Sequence, residues 1–321
     1  MTKPPKSYKV LTVGFYKAMI YTVTFNPSLD YYLKVNNLKL GAVNRSTAER
    51  LTVGGKGINI SRQLKNLDDT SVALGFVAGF TGQEIRSEIE SLGLKHDLIE
   101  VSGRSRINVK IKSTTETDIN ATGARVTADD VKKLAAELKK KLAGGDFVII
   151  SGNAPKNLGE EVYADLIYEL SEVRGVNFVV DACGKLLTET LKYRPFLIKP
   201  NLFELCEIFG LPTSIDTKII AEYARKLQKF GARNVIVSMG SEGAVMISET
   251  KQAMYVRAAR GQLVNSVGAG DCMVAGFVHE YIKTQNYFKS LNFATAAGSA
   301  CAFTADIPTK EQIDYVESIM L

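Results

Sequence analysis

The segment Asn265-Ser266-Val267-Gly268-Ala269-Gly270-Asp271 runs straight into a helix-period stretch, Gly270–Lys283. Gly268, Ala269 and Gly270 let the backbone turn tightly, so that successive amides at the helix start can point at one spot and form an anion hole. An aspartate in a first helical turn is by itself an ordinary residue that complements the helix dipole. Beside an anion hole, Asp271 could also take the proton of an attacking hydroxyl while the amides hold the charge developing on a phosphoryl group in transfer.

Three more clusters have spacings that could bind ligands. Gly54-Gly55-Lys56-Gly57-Ile58-Asn59 opens the first long helix and is neither a G-x-x-x-x-G-K-S/T loop nor a G-x-G-x-x-G fingerprint. It suits close approach of backbone to a ligand at a helix N-terminus, or a glycine turn with a solvated lysine. In Lys199-Pro200-Asn201-Leu202-Phe203-Glu204, Asn201 and Glu204 share one face of a helix start. They read as an N-cap with its capping-box glutamate, as a site for hydrated Mg2+ near a nucleotide phosphate, or as both. Ser238-Met239-Gly240-Ser241-Glu242-Gly243 ends a buried strand, as a nucleotide cradle or a β-turn.

The elements that must position these clusters alternate. Strand-like apolar runs occur at Ile20–Phe25, Val72–Ala78, Phe147–Ser151, Asn177–Asp181, Phe196–Ile198 and Val235–Ser238. They lack polar alternation, as strands covered on both faces do. Helical periods follow at Gly57–Leu67, Gln83–Leu92, Thr127–Leu142, Glu160–Val173, Thr217–Phe230, Gly270–Lys283, Tyr287–Phe303 and Thr309–Ile319, with Gly144 and Gly231 as helix ends. This order predicts an α/β, doubly wound, mostly parallel sheet that binds ligands beyond the strands' carboxyl ends. Tyr31–Val35 with Arg45–Val53, and Ile107–Lys112 with Thr117–Ala121, break the pattern and predict a small antiparallel sheet acting as a lid, inserted from about 31–53 and 104–121. Residues 1–18 read as a leader outside the fold and 19–321 as one domain.

Composition narrows the partners. The 321 residues are 45% hydrophobic and 23% charged, with a net charge of +6 from lysines and arginines spread along the chain. That is globular, too diffuse for a nucleic-acid stripe, and without an apolar run long enough to span a membrane. An anionic small molecule fits better. Cys183, Cys206, Cys272 and Cys301 form no CxxC pair and read as free thiols of a cytoplasmic protein.

Taken in series, GGKGIN (54–59), KPNLFE (199–204), SMGSEG (238–243) and NSVGAGD (265–271) resemble the ribokinase-like sugar kinases, in their phosphofructokinase B branch, from Met19 to the C-terminus. Within it, YTVTFNPSLD (Tyr21–Asp30), SRINVKIK (Ser105–Lys112) and ETDIN (Glu116–Asn120) are most similar to bacterial 1-phosphofructokinases, with tagatose-6-phosphate kinases next. The resemblance implies a ribokinase-like fold that uses ATP and Mg2+ to phosphorylate D-fructose 1-phosphate at its C6 hydroxyl. The alternatives are a tagatose-6-phosphate or fructose-6-phosphate kinase, and a non-catalytic sugar-phosphate sensor, which would not need Asp271. By the same resemblance Asp271 is the base and Gly268, Ala269 and Gly270 the anion hole. Asp30, Gly54, Gly55, Asn59 and Asn108 meet the sugar, and Lys56, Arg106 and Lys110 its phosphate. Lys199, Asn201, Ser238, Gly240, Ser241, Gly243, Thr295 and Ser299 form the ATP site, with Asn201 and Glu204 organising Mg2+. Many relatives have Asp-Thr where Asn265-Ser266 stands and S-G-S-L-P-P-G where Ser151–Asn157 stands, which bears on a monovalent-cation site and on fine sugar preference. Exposed edge strands of the lid predict a homodimer through it.

Overall fold

The computed structural model describes residues 18–213 and 216–320, so all but the last residue of the expected leader lies outside the described residues. The chain begins with β1 (Ile20–Thr24), β2 (Ser28–Lys34), β3 (Ala48–Gly54), α1 (Lys56–Asn66), β4 (Ser71–Val77), α2 (Gly79–Ser91) and β5 (Lys95–Glu100). It continues through β6 (Arg106–Lys112), β7 (Glu116–Ile119), α3 (Ala128–Lys139), β8 (Phe147–Ser151), α4 (Val162–Leu170), β9 (Asn177–Asp181) and the short α5 (Gly184–Thr188). Then come β10 (Leu197–Ile198), α6 (Leu202–Phe209), α7 (Thr217–Phe230), β11 (Asn234–Ser238), β12 (Ala244–Ile247), β13 (Ala253–Val256), α8 (Ala269–Thr284), α9 (Tyr287–Phe303) and α10 (Lys310–Ile319).

Nine strands form the main sheet in the order β13-β12-β11-β10-β9-β8-β1-β4-β5. All pairs from β5 to β11 are parallel, and β12 and β13 add an antiparallel edge. Successive residues of a strand feed opposite cores: Val148 and Ile150 of β8 join Leu134, Leu166 and Leu227 on one face, while Phe147 and Ile149 join Ile60, Leu64 and Phe277 on the other. That two-sided burial is why the strands read as continuous apolar runs. Thr217–Phe230 and Tyr287–Phe303 form helices with the expected bounds. Thr127 and Thr309 close capping boxes on α3 and α10. Gly231 caps α7, but α3 stops at Lys139, short of Gly144.

The second sheet has the order β3-β2-β6-β7. It corrects one expectation: its central pair, β2 with β6, is parallel, and only its outer pairs are antiparallel. Leu29 and Val53 of this sheet pack with Ile85 and Ile89 of α2, which fastens its base to the body.

Candidate active site

The winding direction of the main sheet reverses between β1 and β8, each of which continues into different neighbours. At such a switch point a crevice opens beyond the carboxyl ends of the strands. Thr24, Ser151, Lys199 and Ser238, at or just past the ends of β1, β8, β10 and β11, line a polar cavity of about 600 Å3 there. The start of α1 supplies Gly55, Lys56 and Asn59, the small sheet Asp30, Arg106, Asn108 and Lys110, the start of α6 Asn201 and Glu204, and the start of α8 Gly268, Gly270 and Asp271. A second cavity of about 570 Å3 shares Ser238, Gly240 and Gly270 with the first and runs on between Ser241, Gly243, Ala269, Thr295 and Ser299, with Leu263, Met273 and Phe303 as apolar wall. Every residue expected at the site lines one cavity or the other, except Gly54.

Gly268, at φ 87°, caps α8 without a side-chain acceptor. The first amides of the helix therefore have no intrahelical partner, though that of Ala269 leans toward the Ser266 carbonyl at 3.4 Å. Asp271 is only 5% exposed, and its Oδ2 accepts a hydrogen bond from Asn59 Nδ2 at 2.8 Å. Burial, reinforced by the charge of Asp181, pushes its carboxyl up to about 7 against the opposing pull of Lys56, Asn59 and Lys199. A carboxyl poised near neutrality is matched to taking a proton at neutral pH.

Asp181, at the end of β9, is a charged residue that motif reading missed; it lines neither cavity itself but lies behind Lys56 and Lys199, which line the first. It is 1% exposed and binds Lys56 Nζ and Lys199 Nζ, each at 3.1 Å. Burial opposes its charge, but the two ammonium groups prevail and hold the carboxyl below its ordinary range. Burial opposes the Lys56 charge as well, yet Asp181 and Asp271 hold its pKa above the ordinary lysine value. Gly270 makes room for this network, since a Cβ there would lie 3.1 Å from Lys199 Nζ. A strand that ends on an acid at the carboxyl edge of a parallel sheet was the signal available to find Asp181.

At the other end of the polar cavity, the parallel register pairs Ser28 with Arg106 and Asp30 with Asn108. Asp30 Oδ1 accepts from Ser28 Oγ and from Asn108 Nδ2, both at 2.8 Å. Asn108 Oδ1 is buried without a protein partner. Gly54 lies off the cavity because its part is steric: a Cβ would stand 2.5 Å from Asp30 Oδ2. Arg106 Nε donates to the Asn26 carbonyl at 3.0 Å, and Lys110 Nζ to Asp118 at 2.6 Å.

Toward the second cavity, Asn201 Oδ1 accepts from the Glu204 amide at 2.8 Å and Glu204 Oε2 from the Asn201 amide at 2.9 Å. The capping box therefore forms. Asn201 Oδ1 is spent on the cap, which argues against it as a direct metal ligand, whereas Glu204 Oε1 is left over. Among the described residues no group of three or more His, Cys, Asp or Glu could hold a metal ion by itself. One free carboxylate oxygen fits Mg2+, which keeps most of its waters and is held largely by phosphates. Gly243, at φ 96°, must be glycine, since a Cβ there would stand 2.0 Å from the Val256 carbonyl oxygen.

Comparison with known proteins gives the family. The model of the pfkB family of carbohydrate kinases matches residues 24–306. A 1-phosphofructokinase from Bacillus subtilis is 40% identical over 300 residues, covering 93% of this chain and 97% of that one. A D-tagatose-1-phosphate kinase from Bacillus licheniformis is 33% identical over 300 residues, covering 94% and 98%. The structure of phosphofructokinase-2 from Escherichia coli with fructose-6-phosphate shares the fold, with a TM-score of 0.87 at 24% identity over 94% of this chain and 99% of that one. A family match over most of the chain and a relative 40% identical along nearly its whole length decide it: the protein belongs to the pfkB family of carbohydrate kinases.

Proposed function

We propose that this kinase transfers the γ-phosphoryl group of ATP to the C6 hydroxyl of D-fructose 1-phosphate, giving fructose 1,6-bisphosphate and ADP. The observation that carries the reading is Asp271, buried and near-neutral where the polar cavity meets the second one. Asp271 takes the C6 hydroxyl proton as the O6–Pγ bond forms and the bond from Pγ to the β,γ-bridging oxygen breaks. Lys56, expected at the phosphate already on the sugar, instead shares Asp181 with Lys199, so the two lysines and the open amides at the start of α8 face the charge on the moving group. Asp30 and the orphaned Asn108 Oδ1 hold sugar hydroxyls, and Arg106 and Lys110 at the far end hold the phosphate already present, Lys110 exchanging Asp118 for it. The apolar wall around Phe303 takes the adenine. Mg2+, when bound with the nucleotide, would supply positive charge at the phosphates, and Glu204 is the residue that would help hold it.

The small sheet serves as a lid over the sugar end, and a homodimer through it would cover Leu51, Ile107 and Ile119, which are exposed there. A cytoplasmic location fits the reaction, and no described helix is long and apolar enough to cross a membrane.

A coupled ADP-release assay with fructose 1-phosphate, D-tagatose 1-phosphate, fructose 6-phosphate and tagatose 6-phosphate tests the reading. Fructose 1-phosphate is expected to lead in kcat/KM by about tenfold or more. A lead for either 6-phosphate moves the assignment to the tagatose-6-phosphate or fructose-6-phosphate alternative, and no turnover with any sugar phosphate leaves the sensor. Gly54→Ala probes Asp30 from behind. The added methyl displaces the carboxylate, so the sugar-phosphate KM should rise roughly tenfold, the worth of one charged hydrogen bond, with the ATP KM unchanged. An unchanged sugar KM would remove Asp30 from the sugar site.

A further inference from the structure

The helices α1 and α8 both start at the active site, and they are tied together twice. At the site end, Asn59 Nδ2 donates to Asp271 Oδ2 at 2.8 Å. Eight residues further along α8, roughly 12 Å by helical rise, His279 Nδ1 meets Asp69 Oδ2 at 2.6 Å, just past the end of α1. Lys283 Nζ stands 2.8 Å from His279 Nε2. An ammonium group only donates, so Nε2 must accept and Nδ1 must carry the hydrogen that Asp69 accepts. One tautomer of a side chain 2% exposed is thereby fixed, with the Phe293 ring stacked on it from α9.

We infer that the Asp69–His279–Lys283 chain is a positioning device for the reaction: it locks α1 against α8 so that Asn59 keeps its hydrogen bond to Asp271. Apolar burial between two helices is non-directional, whereas a directional bond at the far end opposes sliding and rotation of one helix against the other. The Asn59 bond favours the charged form of Asp271, against burial and Asp181, alongside Lys56 and Lys199. Loosening the far end should therefore make the base harder to ionise, through residues that line neither cavity. His279 is a positioning residue and not a catalytic one.

The inference rests on Asp271 being the base. The experiment compares pH–rate profiles and thermal unfolding for wild type, His279→Leu, His279→Asn, Asp69→Asn and Asn59→Ala. His279→Leu should lower kcat at pH 7 by roughly five- to twentyfold per folded enzyme, with the ATP KM within about twofold. The acid limb should move to higher pH, so that much of the loss is recovered at alkaline pH. Asn59→Ala should move the limb the same way directly. His279→Asn, which offers Nδ2 where Nδ1 stood, should restore most of the rate. Asp69→Asn, a milder change outside the core, should give a smaller shift in the same direction, and serves if His279→Leu does not fold. A lower melting temperature with kcat and acid limb unmoved makes His279 structural only and overturns the inference. Retained turnover in Asp271→Asn would instead overturn the base reading beneath it.

Discussion

Replacing Asp271 with asparagine should cut turnover by orders of magnitude and stabilise the protein. Loss of a general base costs about 10^2- to 10^4-fold in rate, with nucleotide binding largely intact because the second cavity is untouched. The gain in stability follows from the raised pKa. Folded Asp271 holds its proton up to about 7, whereas the unfolded chain releases it near 3.8. Between those values the native state binds more protons, so this group's contribution to stability falls as the pH rises, and the penalty is complete above about 7. Asparagine keeps an acceptor for Asn59 and has no charge to bury. The variant should gain on the order of 1–4 kcal/mol at pH 8, with the gain fading toward pH 5, where wild-type Asp271 is already protonated. Thermal unfolding at the two pH values checks it: an equal gain at both, or any loss at pH 8, contradicts the burial of an unfavourable charge.

How much of this was legible in the sequence depends on how local the physics is. The parallel strands were readable because burial on both faces leaves an uninterrupted apolar run, as in Phe147–Ser151. β5, Lys95–Glu100, was not, because a strand that is, among the described residues, at the sheet edge beside β4 can carry lysine, histidine and acids. The parallel pairing of β2 with β6 was hidden for a related reason: each strand has a nearby antiparallel partner, which suggests hairpins, whereas the contact that joins the two halves spans 78 residues between Asp30 and Asn108. The site shows the same division. Glycine-led helix starts announce themselves within a few residues, and all of their expected residues but Gly54 line the cavities. Asp181 stands 125 residues from Lys56, in no motif, and its meaning comes only from the strand order that sets β9 between β8 and β10.

That acid carries the second large expectation. Asp181→Asn leaves Lys199, 5% exposed, as a buried ammonium group without its counter-charge, and removes the partner of Lys56. Breaking one side of such a pair costs about 3–5 kcal/mol, so the melting temperature should fall well below that of wild type. The cost should be greatest near neutrality and shrink toward strongly acid pH. Asp181 ionises below its ordinary range when folded, so its stabilisation exists above the unfolded carboxylate pKa and is lost as the pH drops through the folded one. In the active site the effect runs opposite to that expected for His279→Leu. The charge of Asp181 raises Asp271, and Lys56 and Lys199 lower it. With the aspartate gone, both lysines act on Asp271 unopposed, the base ionises more readily, and the acid limb of the pH–rate profile should move to lower pH. A more readily ionised carboxylate is also a poorer proton acceptor, and the lysines no longer share a fixed anchor, so the plateau rate should drop about tenfold or more. The two variants thus push one titration in opposite directions from different sides of Asp271. An acid limb that stays in place in Asp181→Asn would mean that the limb does not report Asp271, and a rise in it would mean that the lysines, once released, turn away from the base.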